Sequence, residues 1–101
     1  MIISVENSDK FARISVKDQI KSVQEAMEFK KRLQETILTN PDAVLEVVIE
    51  DSYVLPSSII GVLLRYAEIE KRTITLAVHH DELIQSLRKL NFEQILNVKR
   101  R

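Results

Sequence analysis

The chain has 101 residues, no cysteine and 15 basic against 15 acidic side chains. That excludes a disulfide framework and a thiolate metal site, and it leaves no global basic field for nucleic acid. A hydrophobic fraction of 45% beside 30% charged residues fits one globular domain, residues 1–101, rather than a disordered chain.

The first residues lack the basic start and long apolar run of a secretory signal. The longest apolar stretch, Ile59–Leu64, is stopped by Arg65 well short of a membrane span. The expectation is a cytoplasmic protein with no membrane insertion. Lys30–Arg32 and Lys99–Arg101 are local basic clusters, read as a solvated helix face and a chain end.

With a single glycine, Gly61, and two prolines, Pro41 and Pro56, turns must rely on Asn, Asp and Ser. Glu6–Asp9 is such a turn. The segments on either side, Met1–Val5 and Phe11–Val16, read as the strands of an opening hairpin. Ser22 then starts a Ser-x-x-Glu capping box with Glu25. Beyond it Val23, Ala26, Phe29, Leu33 and Ile37 recur at helical spacing, with Gln24, Glu28, Arg32 and Glu35 opposite. This first helix should end near Thr39–Asp42, where Pro41 discourages continuation.

Ala43–Ile49 is a β-branched apolar run interrupted only by Glu46, which predicts a central strand covered on both faces. The loop Glu50–Leu55 leads to a second helix over about Ser57–Lys71. Arg72–Val78 is the next strand, with Ile74, Leu76 and Val78 on one face. Asp81 is placed to cap a third helix, whose apolar side is Leu83, Ile84, Leu87 and Leu90. Asn91 is its expected left-handed terminator. Phe92–Val98 reads as a helical turn and an extended tail. Strands alternating with helices predict an α/β fold: a mixed, mainly parallel sheet with an N-terminal hairpin and helices packed on it.

The most informative stretch is Tyr53–Tyr66, "YVLPSSIIGVLLRY". Pro56 suits the first position of a helix, which leaves Leu55 at the cap with no side-chain acceptor and early amides in need of partners. Such an end favours negative charge. Ile59, Val62, Tyr66 and Ile69 form one apolar stripe of the helix, and Ile60, Leu63, Leu64 and Ala67 another. Together they exceed what one sheet face requires. Either neighbouring helices cover the excess or this end docks another protein.

In this order of elements the chain resembles the STAS domain, the fold of bacterial anti-sigma-factor antagonists. That family opens its second helix with Asp-Ser-Ser-Gly-Leu-Gly-Val-Leu, and the matching residues are Pro56, Ser57, Ser58, Ile59, Ile60, Gly61, Val62 and Leu63. "TITLAV" and "LIQSLRKLNFEQIL" are similar too, so the resemblance covers most of the chain. Pro56 stands where the family has its acid and Ile59 where it has its first glycine. The family's final helix has no counterpart beyond Val98.

The resemblance implies a non-enzymatic regulatory module that binds a signalling protein. Ser57 would be phosphorylated by a partner kinase of the histidine-kinase-like ATPase type that is also the anti-sigma factor, and phosphorylation would release the complex. The implied contact residues are Tyr53, Val54, Leu55, Pro56, Ser57, Ser58, Ile59 and Val62. Two other classes remain open. One is an assembly subunit that pairs with its own copies through the same surface, without phosphorylation. The other is an accessory domain that binds a nucleotide or lipid at Glu50 and Asp51, where open α/β sheets place ligands.

No catalytic constellation is evident, and an enzyme is not expected. One glycine cannot build a phosphate-binding loop. Neither His79 nor His80 is linked by sequence to Ser57 in a hydrolase triad. His79-His80 followed by Asp81-Glu82 reads as a loop and helix start rather than a metal site, since adjacent side chains diverge. No cofactor is implied.

Overall fold

The computed structural model describes every residue from Met1 to Arg101. In chain order it contains β1 (Ile2–Asn7), β2 (Phe11–Lys17), α1 (Val23–Thr39), β3 (Val44–Ile49) and α2 (Ser57–Leu64). A π-helical turn at Arg65–Ile69 follows, then β4 (Ile74–Val78), α3 (Asp81–Lys89) and β5 (Val98–Arg100). The sheet order is β1-β2-β3-β4-β5, antiparallel between β1 and β2 and parallel thereafter. The architecture is thus the mixed, mainly parallel α/β sheet expected, and the extended tail becomes its fifth strand.

Strand order that never reverses, joined by crossovers of one hand, places every helix on the same face. Burial shows it. Ala12, Ile14 and Val16 of β2, Leu45, Val47 and Ile49 of β3, and Ile74, Leu76 and Val78 of β4 are all buried in one core with Phe29, Leu33 and Ile37 of α1. The other face is open, and here the expectation of a doubly covered central strand fails. Val44 is exposed and Glu46 half-buried, although β3 is central. Glu46 accepts from Arg13 at 2.9 Å and from Arg101 at 3.2 Å, and Arg13 reaches Glu6 at 3.7 Å. Val48 is nevertheless buried on this face, between Ser15 and Ala77 in register. An apolar run therefore reflected one helix-covered face plus a single packed valine, not two covered faces.

At the start of α1 the Glu25 amide donates to Ser22 Oγ at 3.1 Å, as the capping box requires. The return bond goes from the Lys21 amide to Glu25 Oε1 at 2.7 Å, one residue before the cap. That amide, together with the Met1 ammonium 3.3 Å away, holds the Glu25 carboxyl below its usual pKa against a smaller opposing effect of desolvation. Val23 faces solvent, 77% exposed, and not the core as its spacing suggested. In the first turn the cap geometry, not the stripe, decides orientation.

No glycine is available to end α1, so side chains take over its last carbonyls. Asn40 Nδ2 donates to Thr36 O at 2.8 Å, and the Arg72 guanidinium donates to the carbonyls of Ile37 and Asn40 and, just before β3, to that of Ala43. Arg72, which begins the segment leading into β4, thereby ties the end of one crossover to the start of the next strand.

The second helix is shorter than predicted, because its last turn widens. Glu70 donates to Arg65 O at 3.2 Å across the π-turn, Arg72 donates to Tyr66 O at 2.9 Å, and Lys71 stops the chain in the left-handed region at φ 56°. The wide turn swings Ile69 off its stripe and leaves it 72% exposed, while Tyr66 stays buried. In α3 the cap is His80, with Asp81 in the first helical turn, so Asp81 favours the helix by charge at the N-terminus rather than by capping. Leu83 and Leu87 are buried, Ile84 is half-buried, and Leu90 is exposed because the helix has already ended there. Asn91 adopts φ 63°, the left-handed terminator expected of it, and Phe92 donates back to Leu87 O at 2.9 Å.

Candidate functional site: the uncapped start of the second helix

Both α1 and α2 follow parallel strands, so their N-termini lie at the same end of the molecule, beyond the carboxyl ends of β2 and β3. The two connections are stitched together there. Ser52 is buried, and its Oγ accepts the Ile20 amide at 3.2 Å. Asp51 Oδ2 accepts the Asp18 amide at 2.7 Å, and its carbonyl accepts Gln19 Nε2 at 2.6 Å. Asp18 itself is left-handed, with φ 65°. These bonds hold the Glu50–Leu55 loop as a fixed platform.

From that platform Leu55 turns inward and is 6% exposed, whereas Tyr53 and Val54 turn outward, 51% and 64% exposed. The Tyr53 ring meets His80 edge-on at 6.0 Å, which steadies it from the α3 side. Gln19, Ile20 and Lys21 line a shallow groove with Tyr53, Val54 and Pro56.

Pro56 is the cap residue of α2, one position later than the Leu55 cap that the sequence suggested, with φ −57° and ψ 142°. Its carbonyl accepts the amides of Ile59 at 3.0 Å and Ile60 at 3.2 Å. Leu55 is therefore not the cap, and Ile59 already has a backbone partner. Only the Ser57 and Ser58 amides precede the first intrahelical bond, and Pro56 offers them no side-chain acceptor. Both serines are exposed, and no acidic residue lies in this first turn.

The eight proposed contact residues thus divide. Ile59 is fully buried, and Val62 and Leu55 are 6% exposed, so these three build the core and cannot touch a partner of the folded chain. Pro56 is half-buried; Tyr53, Val54, Ser57 and Ser58 are exposed. Most of the apolar surplus of α2 is taken up within the domain: Ile59, Val62, Leu63 and Tyr66 are buried, and Ile60, Leu64 and Ala67 pack against the core. Sequence periodicity passes over Met27 and assigns Val23 to the buried stripe of α1. Both are exposed, Val23 77% and Met27 65%, on the first turns of α1.

Glu50 and Asp51 line a second shallow pocket with Lys17, His79 and Arg101, where the parallel strands end. Two carboxylates face three basic side chains there, and the Asp51 carboxylate already holds the Asp18 amide. No group of three or more His, Asp or Glu side chains converges anywhere in the chain to offer a metal-binding set. No helix is long and apolar enough to cross a membrane. No protein-family model matches the sequence, and no curated protein matches it.

Proposed function

We propose that this chain is a non-enzymatic regulatory module that docks a signalling protein through the Tyr53–Pro56 loop and the start of α2, with Ser57 as its phosphorylation switch. A cytoplasmic setting, and a partner of the histidine-kinase-like ATPase type, belong to the same proposal. The observation that carries it is an exposed hydroxyl on an uncapped helix start, set beside the exposed Tyr53 and Val54.

The physical logic is local. A phosphate on Ser57 adds about −1.5 to −2 charges at a helix end that favours them, so the fold tolerates the modification. The same charge at the rim of an apolar contact made by Tyr53 and Val54 opposes docking by its desolvation cost. Binding and phosphorylation then exclude one another without any change of fold. Ile59 in place of a glycine does not crowd the hydroxyl, because its side chain points into the core.

Incubation with lysate of the native cells and ATP, followed by intact-mass measurement and peptide mapping, tests the switch. The expected result is one added phosphate that disappears in Ser57→Ala and persists in Ser58→Ala. A chain that stays unmodified while its co-purified partner remains bound counts against it.

A second reading, an accessory domain for an anionic ligand such as a nucleotide, is supported by Lys17, His79 and Arg101 meeting at the strand ends. Calorimetry against nucleotides decides it: heat lost in Lys17→Ala supports that pocket, and heat unchanged in that variant rejects it.

A further inference from the structure

Of the two sheet edges, only that of β1 presents unpaired backbone groups along a full strand. The β5 edge is three residues long and carries exposed Lys99 and Arg100, the short and charged form that resists further pairing. The β1 edge is twice as long and carries one charge, Glu6, which lies 3.7 Å from Arg13 of its own chain. Its six residues, Ile2–Asn7, include no lysine and no proline, and pairing with β2 runs unbroken from Ile2↔Lys17 to Asn7↔Ala12, with no bulge to twist the edge away.

The phase of that ladder shows which groups point outward. Ser8 donates its amide to Phe11 O at 2.9 Å, which makes Ser8 and Phe11 a hydrogen-bonded pair. Antiparallel pairing alternates, so Glu6, Ser4 and Ile2 also direct their backbone groups towards β2. Ile3, Val5 and Asn7 direct theirs away from the sheet. Their side chains lie on the helix-covered face, where Ile3 and Val5 pack half-buried on the rim of the core.

We propose that this edge pairs with the same edge of a second copy, antiparallel about a twofold axis at Val5, so that two five-stranded sheets become one. The strand is self-complementary in that register. Val5 meets Val5 and Ile3 meets Asn7, so every outward amide and carbonyl finds a partner. On the open face Ser4 meets Glu6 of the second copy, and no like charges stand opposed. The half-exposed flanks of Ile3 and Val5 gain cover from their counterparts. The competing register, centred on Ser4, leaves Asn7 beyond the end of the facing strand. Because α2 bridges β3 and β4, away from this edge, the Ser57 end stays open in the dimer.

Sedimentation equilibrium over a dilution series tests the pairing and its register together. The wild-type chain should reach the mass of two chains. Val5→Pro should hold it at one, because proline there removes an outward amide and leaves the β1–β2 ladder whole. Two substitutions at the exposed Ser4 serve if the proline variant fails to fold, with circular dichroism as the check. Ser4→Glu, set against Glu6 of the second copy, should raise the dissociation constant about tenfold, and Ser4→Lys should lower it several-fold. A wild-type chain that stays single at every concentration overturns the proposal. A dimer indifferent to all three variants overturns it as well, and a dimer weakened alike by Ser4→Glu and Ser4→Lys overturns the Val5-centred register. None of these outcomes bears on the Ser57 reading, whose residues the variants leave untouched.

Discussion

Val54 and Ile59 are both large, aliphatic and close in sequence, yet they do opposite work. Val54 is 64% exposed on a loop held by Ser52 and Asp51, while Ile59 has no exposure and faces the sheet. Ile59→Asp buries an unpartnered carboxyl and should cost about 4 kcal/mol or more, a large share of the stability of a domain this size. Val54→Asp should change stability by less than about 0.5 kcal/mol while abolishing partner binding. Urea unfolding beside affinity capture separates the two. Equal loss of stability in both variants would remove Val54 from the proposed surface. A pattern of apolar residues names both positions as interesting, but the sequence of burial along the helix assigns them.

At the scale of the element, Gly61 and Arg72 show where local rules are strained and where they are satisfied. Gly61 sits inside α2 with ordinary helical φ, and a Cβ built there meets nothing within 4 Å. The fold does not need a glycine at this position. Gly61→Ala should therefore stabilise the domain by about 0.5–1 kcal/mol, read as a rise in melting temperature. If the glycine serves close approach of a partner along α2, the same variant binds that partner more weakly; stabilisation with unchanged binding would separate Gly61 from docking. Arg72 is the opposite case. It closes the carbonyls of Ile37 and the cap residue Asn40 at the end of α1, a helix that lacks a glycine or a basic last turn of its own, and that of Ala43 just before β3. Arg72→Ala should cost about 2 kcal/mol, against about 0–1 kcal/mol for Arg88→Ala, which breaks only the exposed pair with Glu93. Denaturant midpoints measure both, and equal costs would mean that water caps α1 as well as the guanidinium does.

For the whole molecule, one helix-covered face and one open face make stability uneven. β2, β3 and β4 carry the alternating buried residues, whereas β5 is three residues long and half-exposed. At dilutions that keep the chain single, native-state hydrogen exchange should find the slowest amides in β2–β4 and fast exchange in β5, with β1 between them because its outer edge is then unpaired. Uniform protection across all five strands would contradict this layering. The open face itself is held by side chains rather than by a second layer of helices, through Arg13, Glu46 and Arg101.

The order of elements was legible in the chain, because each depends on local chemistry. Ser22 and Glu25 announce α1, the β-branched run announces β3, Pro56 marks the entry to α2, and Asn91 adopts the left-handed turn that its short polar side chain permits. The exposed serines at the head of α2 were legible for the same reason: they follow a proline and precede an apolar run. What the tertiary structure alone decided was which apolar residues were to spare. Val23, Ile69 and Leu90 fit helical stripes but face water, because the cap at Ser22, the wide turn after Leu64 and the end of α3 each rotate or release one position. Leu55, Ile59 and Val62 look available in a list of hydrophobic residues but are taken by the sheet. Periodicity records the direction of a side chain within its own element, whereas exposure depends on what the other elements bring to that side, and long-range packing carries no local signature.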